Sequence, residues 1–448
     1  MLLSKYFTRV NLINIFQIGI GFICAFLFGI LINFLPLPIF FVIIGAAAFL
    51  ILIYYRFEWG IALLIASMFY EKEIIPGLSL TSIIILPVFS FIIVKIMFGQ
   101  KNLYVNKKTD IIIFLLFIWM TLSVFYAKNT NVVIMSLITY FQLILTYFII
   151  KSSIDNEKEW QKILNIIILL GFGIIIFSCF SIIKNPSDYL FAEEISNDMR
   201  VMGSALNPNM FARILIFMLP FCIYFSIKRS KLFFIPVILI SLLVIGSFSR
   251  AGILGMIIVY GSSISTLHKF FKRGFVITII LIVSLGTIIL LFNIENMIIS
   301  RFQQNDKGGS IEVRLDMVDT ALDMLEKNPL TGVGLNNFVE NSHLYGRRPH
   351  FMRAAHNGYL DVLATLGFPG FLLLLSLIYR SLKNLKMAQK INEIKPEDIE
   401  DESLLIRFVR IAFIAYLIMG VWGALLPNKL FWVLLAFSEI INKISQER

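Results

Sequence analysis

Arg250 is the residue in this sequence whose surroundings most strongly indicate chemistry. It is the only charged residue between Leu232 and Leu267, a stretch that would be about 54 Å long as one helix and is therefore predicted to fold as two membrane spans. The turn between them contains Ser247-Phe248-Ser249-Arg250, which puts the guanidinium at the membrane boundary, where an unpartnered charge is costly. It could clamp phosphate oxygens bidentately. The alternative is an arginine that snorkels to lipid headgroups.

His356 is the second candidate. It lies in His356-Asn357-Gly358-Tyr359, where a polar stretch meets an apolar run. The imidazole is thereby predicted beside a helix N-terminus, whose positive end disfavours protonation. A neutral histidine at a membrane boundary is suited to act as the general base for a hydroxyl group. The alternative is a capping or interfacial histidine.

Further basic residues lie close to these two candidates. Arg200 and Arg213 flank Asn207-Pro208-Asn209, where Asn207 is expected to cap a helix and Pro208 to occupy its first turn. Another group precedes His356 and is either a solvated patch or an electropositive funnel for a diphosphate or an anionic glycan. This group consists of Arg347, Arg348, His350 and Arg353.

The sequence contains no phosphate-binding loop, Cys/His metal cluster or nucleophile elbow. No acidic pair resembles a divalent-metal site on the outer face. We therefore expect chemistry without a metal or cofactor, in which arginines hold negative charge and His356 moves a proton.

The elements that position these residues are predicted to be membrane-spanning helices. Of the 448 residues, 58% are hydrophobic and 15% are charged, whereas a soluble domain carries about 25% charged residues. The predicted fold is an all-α polytopic transmembrane bundle of about 12 to 14 spans, two of which (59–70 and 430–441) are short enough to be re-entrant or partly interfacial. The apolar runs cover about residues 12–35, 37–55, 59–70, 79–98, 110–126, 132–150, 161–183, 207–227, 232–249, 251–267, 274–293, 357–379, 405–426 and 430–441.

The net charge of +11 would suit a nucleic-acid partner, but most Lys and Arg residues lie in short loops, where they orient a membrane protein. If the N-terminus is cytoplasmic, strict alternation of the spans leaves about 25 of the 39 basic residues inside. We therefore predict a multi-pass protein of the cytoplasmic (inner) membrane with both termini cytoplasmic and no nucleic-acid partner.

The same alternation predicts two extracytoplasmic loops. The larger one contains an amphipathic helix with Ser310 as its cap and Asn328-Pro329 as its stop, lying on the membrane surface or on the bundle. Arg314 is on its polar face and is more naturally a surface ion pair. Its apolar stripe is Ile311, Leu315, Val318, Leu322 and Leu325. The chain then divides into N-terminal helices (1–183), central helices with arginines at their outer ends (184–293), the large loop (294–356) and C-terminal helices (357–448).

At these residues the sequence resembles the O-antigen ligase and polymerase superfamily of polysaccharide membrane proteins. The resemblance covers about residues 190–375, while the earlier helices match only in being apolar. Its motifs, in order, are Arg200 with Asn207-Pro208-Asn209, then Ser249-Arg250-Ala251-Gly252, then Arg314 with Pro329-Leu330-Thr331-Gly332-Val333-Gly334, and finally His356-Asn357-Gly358-Tyr359-Leu360 followed by Leu366-Gly367-Phe368-Pro369-Gly370.

The resemblance implies a C-type glycosyltransferase that moves a glycan from an undecaprenyl-diphosphate carrier to a saccharide or lipid-linked acceptor outside the membrane, as in lipopolysaccharide assembly. It does not distinguish a ligase from a polymerase. Arg250 would neutralise the departing diphosphate, and His356 would orient or deprotonate the attacking hydroxyl. The candidate substrate-binding residues are Arg200, Arg213, Arg314, Asn207, Asn209, Arg347, Arg348, Arg353 and Tyr359.

The alternative function is a transporter or flippase of lipid-linked oligosaccharide. Transporters tend to have inverted repeats and charges near the middle of the bilayer. Here the charges cluster at the outer boundary and one outer loop is enlarged, which favours the enzyme. A non-catalytic scaffold in an envelope assembly complex is a third interpretation.

Overall fold

The computed structural model describes residue 45 and residues 50–71, 73–75, 78–184, 190–192, 199–266, 311–345, 354–393 and 400–447. The predicted spans at about 12–35 and 274–293, and most of that at 37–55, lie outside the described residues. The chain divides into a first unit, residues 1–57, and a second, residues 58–448. The second unit holds the candidate site.

The described chain is helical apart from its loops and two short antiparallel hairpins. The hairpins are β1 (Glu73–Ile75) with β2 (Leu78–Ser79) and β3 (Leu190–Ala192) with β4 (Met199–Val201). The helices are α1 (Phe57–Ser67), α2 (Leu80–Met97), α3 (Lys107–Leu122), α4 (Thr130–Ser153), α5 (Glu157–Lys184), α6 (Pro208–Lys228), α7 (Phe234–Gly246), α8 (Arg250–Thr266), α9 (Ile311–Lys327), α10 (Phe338–Ser342), α11 (Gly358–Glu393), α12 (Glu400–Met419) and α13 (Lys429–Gln446).

Seven helices of the described chain are long and apolar enough to cross a membrane, namely α2, α3, α4, α5, α6, α11 and α12. Three more, α1, α7 and α8, are apolar but shorter. The prediction of an all-α polytopic helical bundle is thereby confirmed. The turn predicted between the two apolar runs around Arg250 is also present, because α7 ends at Gly246 and α8 begins at Arg250.

The core of the bundle lies around α6 and α13. In α6, 94% of the most apolar stretch of 18 residues is buried, as expected for a helix that is hydrophobic on all sides. The Phe437 ring of α13 packs against Phe217 and Phe221 of α6 and edge-on against Trp160 of α5. The short run at 430–441 is therefore part of a helix of 18 residues that is buried among the other helices.

A buried carboxylate fixes the middle of α13. Glu439 is fully buried, and its two oxygens accept hydrogen bonds from Thr109 Oγ1 (2.7 Å), Asn106 Nδ2 (2.6 Å) and Asn384 Nδ2 (2.7 Å). A charge removed from water must be compensated in this way. Because the three donors belong to α11 and to the start of α3, this one side chain joins three elements.

Replacement of Glu439 by alanine is expected to lower the free energy of unfolding by about 3 kcal/mol or more, because three buried donors lose their acceptor. Unfolding of the detergent-solubilised protein measures the effect. Lys327→Ala is the control, since it removes an exposed ion pair with Asp323 (3.2 Å) and is expected to cost less than about 1 kcal/mol. Equal losses in the two variants would contradict this role of Glu439.

The segment between α9 and α10 docks on α11 where that helix is kinked. Gly367, inside α11, has φ 65° and ψ −171°. The break allows the Phe368 amide to donate to the Pro329 carbonyl (2.9 Å), while the Val333 amide donates to Ala364 O (2.9 Å). The two glycine-containing motifs at 329–334 and 366–370 are thus the two halves of one contact.

The amphipathic helix α9 lies on the bundle. Met317, Ala321 and Met324 form a buried cluster that includes Ala355 and Ala364. Of the predicted apolar stripe, Leu325 is buried, whereas Leu315 and Leu322 are exposed. The small and flexible side chains, Ala and Met, thus pack on the bundle, and two leucines of the stripe face away from it.

Gly367→Ala is expected to destabilise the protein by about 1–3 kcal/mol, since the residue has positive φ and an added Cβ would lie 2.2 Å from Leu330 O. Equilibrium unfolding compares this variant with Gly173→Ala. Gly173 is in α5 with open space around its Cβ position, so alanine there should be neutral or stabilising. The role of the kink is refuted if both variants are equally stable.

Candidate functional site

Arg200 and Arg250 are brought together by the turn between α7 and α8. Arg200 Nε donates to Ser247 O (3.0 Å) and Arg200 Nη2 to Asn209 Oδ1 (3.4 Å). Arg250 is the first residue of α8 and is exposed. The Arg200 side chain therefore bonds to the turn three residues before Arg250.

The turn is built so that α8 begins at this point. The Ser249 hydroxyl accepts a hydrogen bond from the Gly252 amide (3.2 Å), the pattern of a helix N-cap. Phe248 before it has a φ of 49°. A Cβ on Gly252 would lie 2.6 Å from Ala212 Cβ, so only glycine lets α8 approach α6 this closely. The N-terminus of α8 adds its positive dipole end to the charge of the two arginines.

The predicted cap at the start of α6 is confirmed. The Asn207 side chain accepts a hydrogen bond from the Met210 amide (2.9 Å), and Pro208 is the first residue of the helix. Asn209 supports Arg200, as described above. Both asparagines therefore have structural partners, and direct contact of either one with a substrate stays a prediction.

Arg213 lies one turn below Asn209 on the same face of α6 and is buried, with 5% of its surface exposed. Its guanidinium donates to Met419 O (2.9 Å) and to Ala424 O. Met419 is the last residue of α12, and Ala424 lies in the middle of the connection to α13, which we call the α12–α13 turn. A Cβ on Gly423 would lie 2.7 Å from Arg213 Nη2, so the turn closes tightly around this side chain.

The start of α11 packs against the other side of the same turn. A Cβ on Gly358 would lie 2.6 Å from the Leu425 amide nitrogen. Tyr359 donates from its hydroxyl to Leu417 O (2.8 Å), so this predicted substrate ligand has a structural partner in α12. Asn357 Oδ1 accepts hydrogen bonds from the backbone amides of Tyr359 (3.0 Å) and Leu360 (3.2 Å), and so caps the helix.

His356 stands immediately before this cap, with an exposed side chain and a φ of 50°. Its position is determined by the cap that follows it and by Ala355, which is buried in the cluster beneath α9. The predicted juxtaposition of an imidazole with a helix N-terminus is present. The turn before α8 and the segment with His356 are joined through the first two turns of α6. Asn209 bonds to Arg200, which contacts the turn before α8, and Arg213 bonds to the α12–α13 turn, on which α11 begins.

The remaining predicted residues are not placed by the structure. Arg347, Arg348 and Arg353 lie outside the described residues. Arg314 is in α9, but its side chain is outside the description. Within the described part of the chain, no three His, Cys, Asp or Glu side chains are grouped as metal ligands, and the expectation of chemistry without a metal stays a prediction.

Glu71 is a site residue that sequence reasoning missed. Its carboxylate lies near Arg213 and Lys429, and one oxygen, Oε2, is buried without a hydrogen bond in the described structure. Burial raises the pKa of Glu71 to about 7, although Lys429 and Arg213 oppose the shift. A signal was available in sequence, because an arginine inside an apolar run requires an anionic or dipolar partner, but nothing indicated which one.

Residues 235–375 match the family model described as O-Antigen ligase. This part of the chain is similar to the O-antigen ligases. This confirms the resemblance noted above, and the matched region contains both Arg250 and His356.

A relative from Haemophilus influenzae, named only as an uncharacterized protein, is 28% identical over 188 residues, which cover 36% of this chain and 47% of that protein. The chain therefore spans about half the length of this relative. The relationship to O-antigen ligases supports a polysaccharide ligase-like or polymerase-like role in a membrane.

Arg213→Ala is expected to lower the free energy of unfolding by about 3 kcal/mol or more, because two carbonyls and a buried carboxylate lose their cationic partner. Amide hydrogen exchange should rise at 417–426 and 354–360, the two segments that this side chain holds together. Arg229→Ala, at the other end of the same helix, is the control. Arg229 is exposed, and within the described residues it bonds to Gln161 (3.1 Å) and to its own helix. Its replacement is therefore expected to leave hydrogen exchange in both segments unchanged.

If Arg213→Ala left exchange in both segments at the wild-type rate, the clamp described for Arg213 would be wrong. Faster exchange across the whole chain would mean general unfolding, and a comparison at matched fractions of folded protein separates that case.

Proposed function

We propose that this protein transfers a glycan from a polyprenyl-diphosphate carrier to an acceptor saccharide at the outer face of the cytoplasmic membrane. The observation that supports this most strongly is the hydrogen bond from Arg200 to Ser247 O, in the turn that precedes Arg250 and α8. The relationship to O-antigen ligases supports the polysaccharide substrate. Both Arg250 and His356 lie in the matched region.

The diphosphate of the donor would bind at Arg200 and Arg250. Two planar guanidinium groups and the amides at the start of α8 suit a ligand with several anionic oxygens. They would also stabilise the charge that develops on the leaving diphosphate, the role that a metal ion has in other transferases. In this proposal the arginines supply that stabilisation.

The transfer itself exchanges one bond for another. The acceptor hydroxyl oxygen attacks the anomeric carbon, and the bond from that carbon to the diphosphate oxygen breaks with its electron pair on the oxygen. The hydroxyl proton passes to a ring nitrogen of His356, whose position before α11 favours the neutral, proton-accepting form. Attack opposite the leaving group inverts the anomeric centre.

Arg213 has a positioning role in this proposal, with Glu71. It holds the α12–α13 turn, and that turn carries the start of α11 and His356. Arg347, Arg348 and Arg353, with Arg314, would attract the anionic donor from the outer surface. The orientation that this requires has both termini in the cytoplasm.

Arg250→Ala and His356→Ala are expected to reduce glycan transfer by about two to four orders of magnitude in proteoliposomes that contain lipid-linked oligosaccharide and acceptor. Arg250→Ala should also weaken donor binding, because it removes a phosphate ligand. His356→Ala should leave donor binding unchanged, since the imidazole serves the acceptor. Arg250→Lys should be intermediate, as an ammonium cannot bind bidentately.

Lys327→Ala, on the exposed face of α9, is the control and should retain full activity. Wild-type turnover in either site variant would overturn the assigned role. The attachment of the product completes the assignment: product on polyprenyl diphosphate indicates a polymerase, and product on another lipid indicates a ligase. Movement of the donor across the bilayer without a new glycosidic bond would refute the proposal in favour of a transporter.

A further inference from the structure

An open cavity lies at the start of α4, apart from the turn between α7 and α8. It has a volume of ≈ 460 Å³ and is bounded by the first three turns of α4 on one side and by Asn336 on the other. Its lining contains no charged residue, so nothing in it favours a phosphate. Its polar side chains are Asn129, Asn131, Ser136, Thr139 and Asn336.

Ser136 is the observation that indicates a ligand here. Only 8% of its surface is exposed, it lines the cavity, and within the described chain its hydroxyl makes no hydrogen bond. A hydroxyl in a helix ordinarily donates to the carbonyl four residues before it, as Thr146 in the same helix does to Gln142 O (2.8 Å). The Ser136 hydroxyl lines the cavity, so a ligand hydroxyl that enters the cavity can supply the hydrogen bond that the helix does not.

The two walls of the cavity are held at a fixed separation. Asn337 Oδ1 accepts from the Asn129 amide (2.9 Å), and Asn337 Nδ2 donates to Asn129 O (3.2 Å). Asn336, next in the chain, has a φ of 56° and an exposed side chain. Within the described residues, the side-chain amides of Asn336 and Asn131 make no hydrogen bond, so both can bind a ligand.

The cavity is connected to the segment that carries the predicted base. The stretch with Asn336 docks on α11 through Val333 and Gly334, which donate to the carbonyls of Ala364 and Thr365 (both 2.9 Å). Val333 also packs in one cluster with Ala355, the residue before His356. One wall of the cavity and the histidine therefore belong to the same packed unit.

On the side of Met135, the cavity continues onto exposed apolar residues of α4. Met135 lines the cavity and is exposed, as are Ile138 and Phe141 further along α4. In a membrane this face of the helix contacts lipid. A ligand that follows α4 would thus have its polar part among the asparagines and an apolar part beside the helix.

We propose that this cavity binds an uncharged sugar residue of a membrane-anchored glycan, an inference that rests on the proposed function. Amide and hydroxyl groups pair with sugar hydroxyls as both donors and acceptors. Ser136, Asn131 and Asn336 provide that set without any charge. The glycan belongs to the donor or to the acceptor, and the two sources give different kinetics.

Ser136→Ala and Asn336→Gly are the test variants, because alanine removes only the hydroxyl and glycine tolerates the positive φ at position 336. Transfer rates are measured with each glycan varied in turn. The KM for one of them should rise about fivefold to tenfold with kcat little changed. A rise for the acceptor identifies an acceptor subsite, and a rise for the donor identifies a donor subsite. Thr146→Val, which removes a hydroxyl deeper in α4, should leave both KM values unchanged.

A binding measurement separates this inference from the proposed function. The probe is the host's own repeat-unit oligosaccharide, released from its carrier by mild acid, and its affinity for the solubilised full-length protein is measured by calorimetry. Weaker binding by the folded Ser136→Ala and Asn336→Gly variants supports the cavity even if the wild type transfers nothing, which would refute only the function. Unchanged binding and unchanged KM values in an active enzyme would overturn the cavity assignment alone.

Discussion

The candidate site depends on one buried guanidinium, that of Arg213. An arginine inside an apolar bundle must satisfy its donors within the protein, and Arg213 does so at Met419 O and Ala424 O, with Glu71 nearby as the opposing charge. The need to satisfy this charge fixes the α12–α13 turn against α6. Since α11 begins on the far side of that turn, the same constraint fixes the residue before its cap, His356. In the proposed reaction, a residue with a positioning role thus determines where the proton acceptor stands.

The helix directions explain why the candidate residues collect at one end. Contacts join the N-termini of α6, α8 and α11 through Arg200, Arg213 and the α12–α13 turn. The start of α13 joins the start of α2, where Lys429 Nζ donates to Thr81 Oγ1 (3.2 Å). Helices that run in one direction present their positive dipole ends together. The anionic donor of the proposed reaction would therefore be attracted to this end by the backbone as well as by the basic side chains.

Much of this architecture could be predicted from the sequence, because local patterns determine it. Hydropathy located the described apolar helices, although α11 continues to Glu393, well past the predicted end at about 379, and Asn207-Pro208 correctly predicted the cap of α6. Long-range pairing could not be predicted: nothing near Glu71 indicates Arg213, and nothing near Glu439 indicates Thr109 or Asn384. The face of α9 that packs on the bundle could not be predicted for a related reason. Which stripe of a helix is buried depends on the partner's surface, and that surface is formed by residues distant in the chain.

Separate elements carry the separate parts of the proposed chemistry, and this has a physical consequence. Arg250 starts α8, His356 precedes α11, and the cavity proposed to bind a sugar lies along α4, so no single helix movement changes all three. Their relative positions are set by contacts with little freedom: the glycine approaches of α8 to α6 and of α11 to the α12–α13 turn, and the paired Asn129–Asn337 bonds. Placement of a flexible lipid-linked glycan against a fixed frame reduces the entropy lost when its anomeric carbon meets the acceptor hydroxyl. The rigidity of these outer turns would then itself contribute to catalysis.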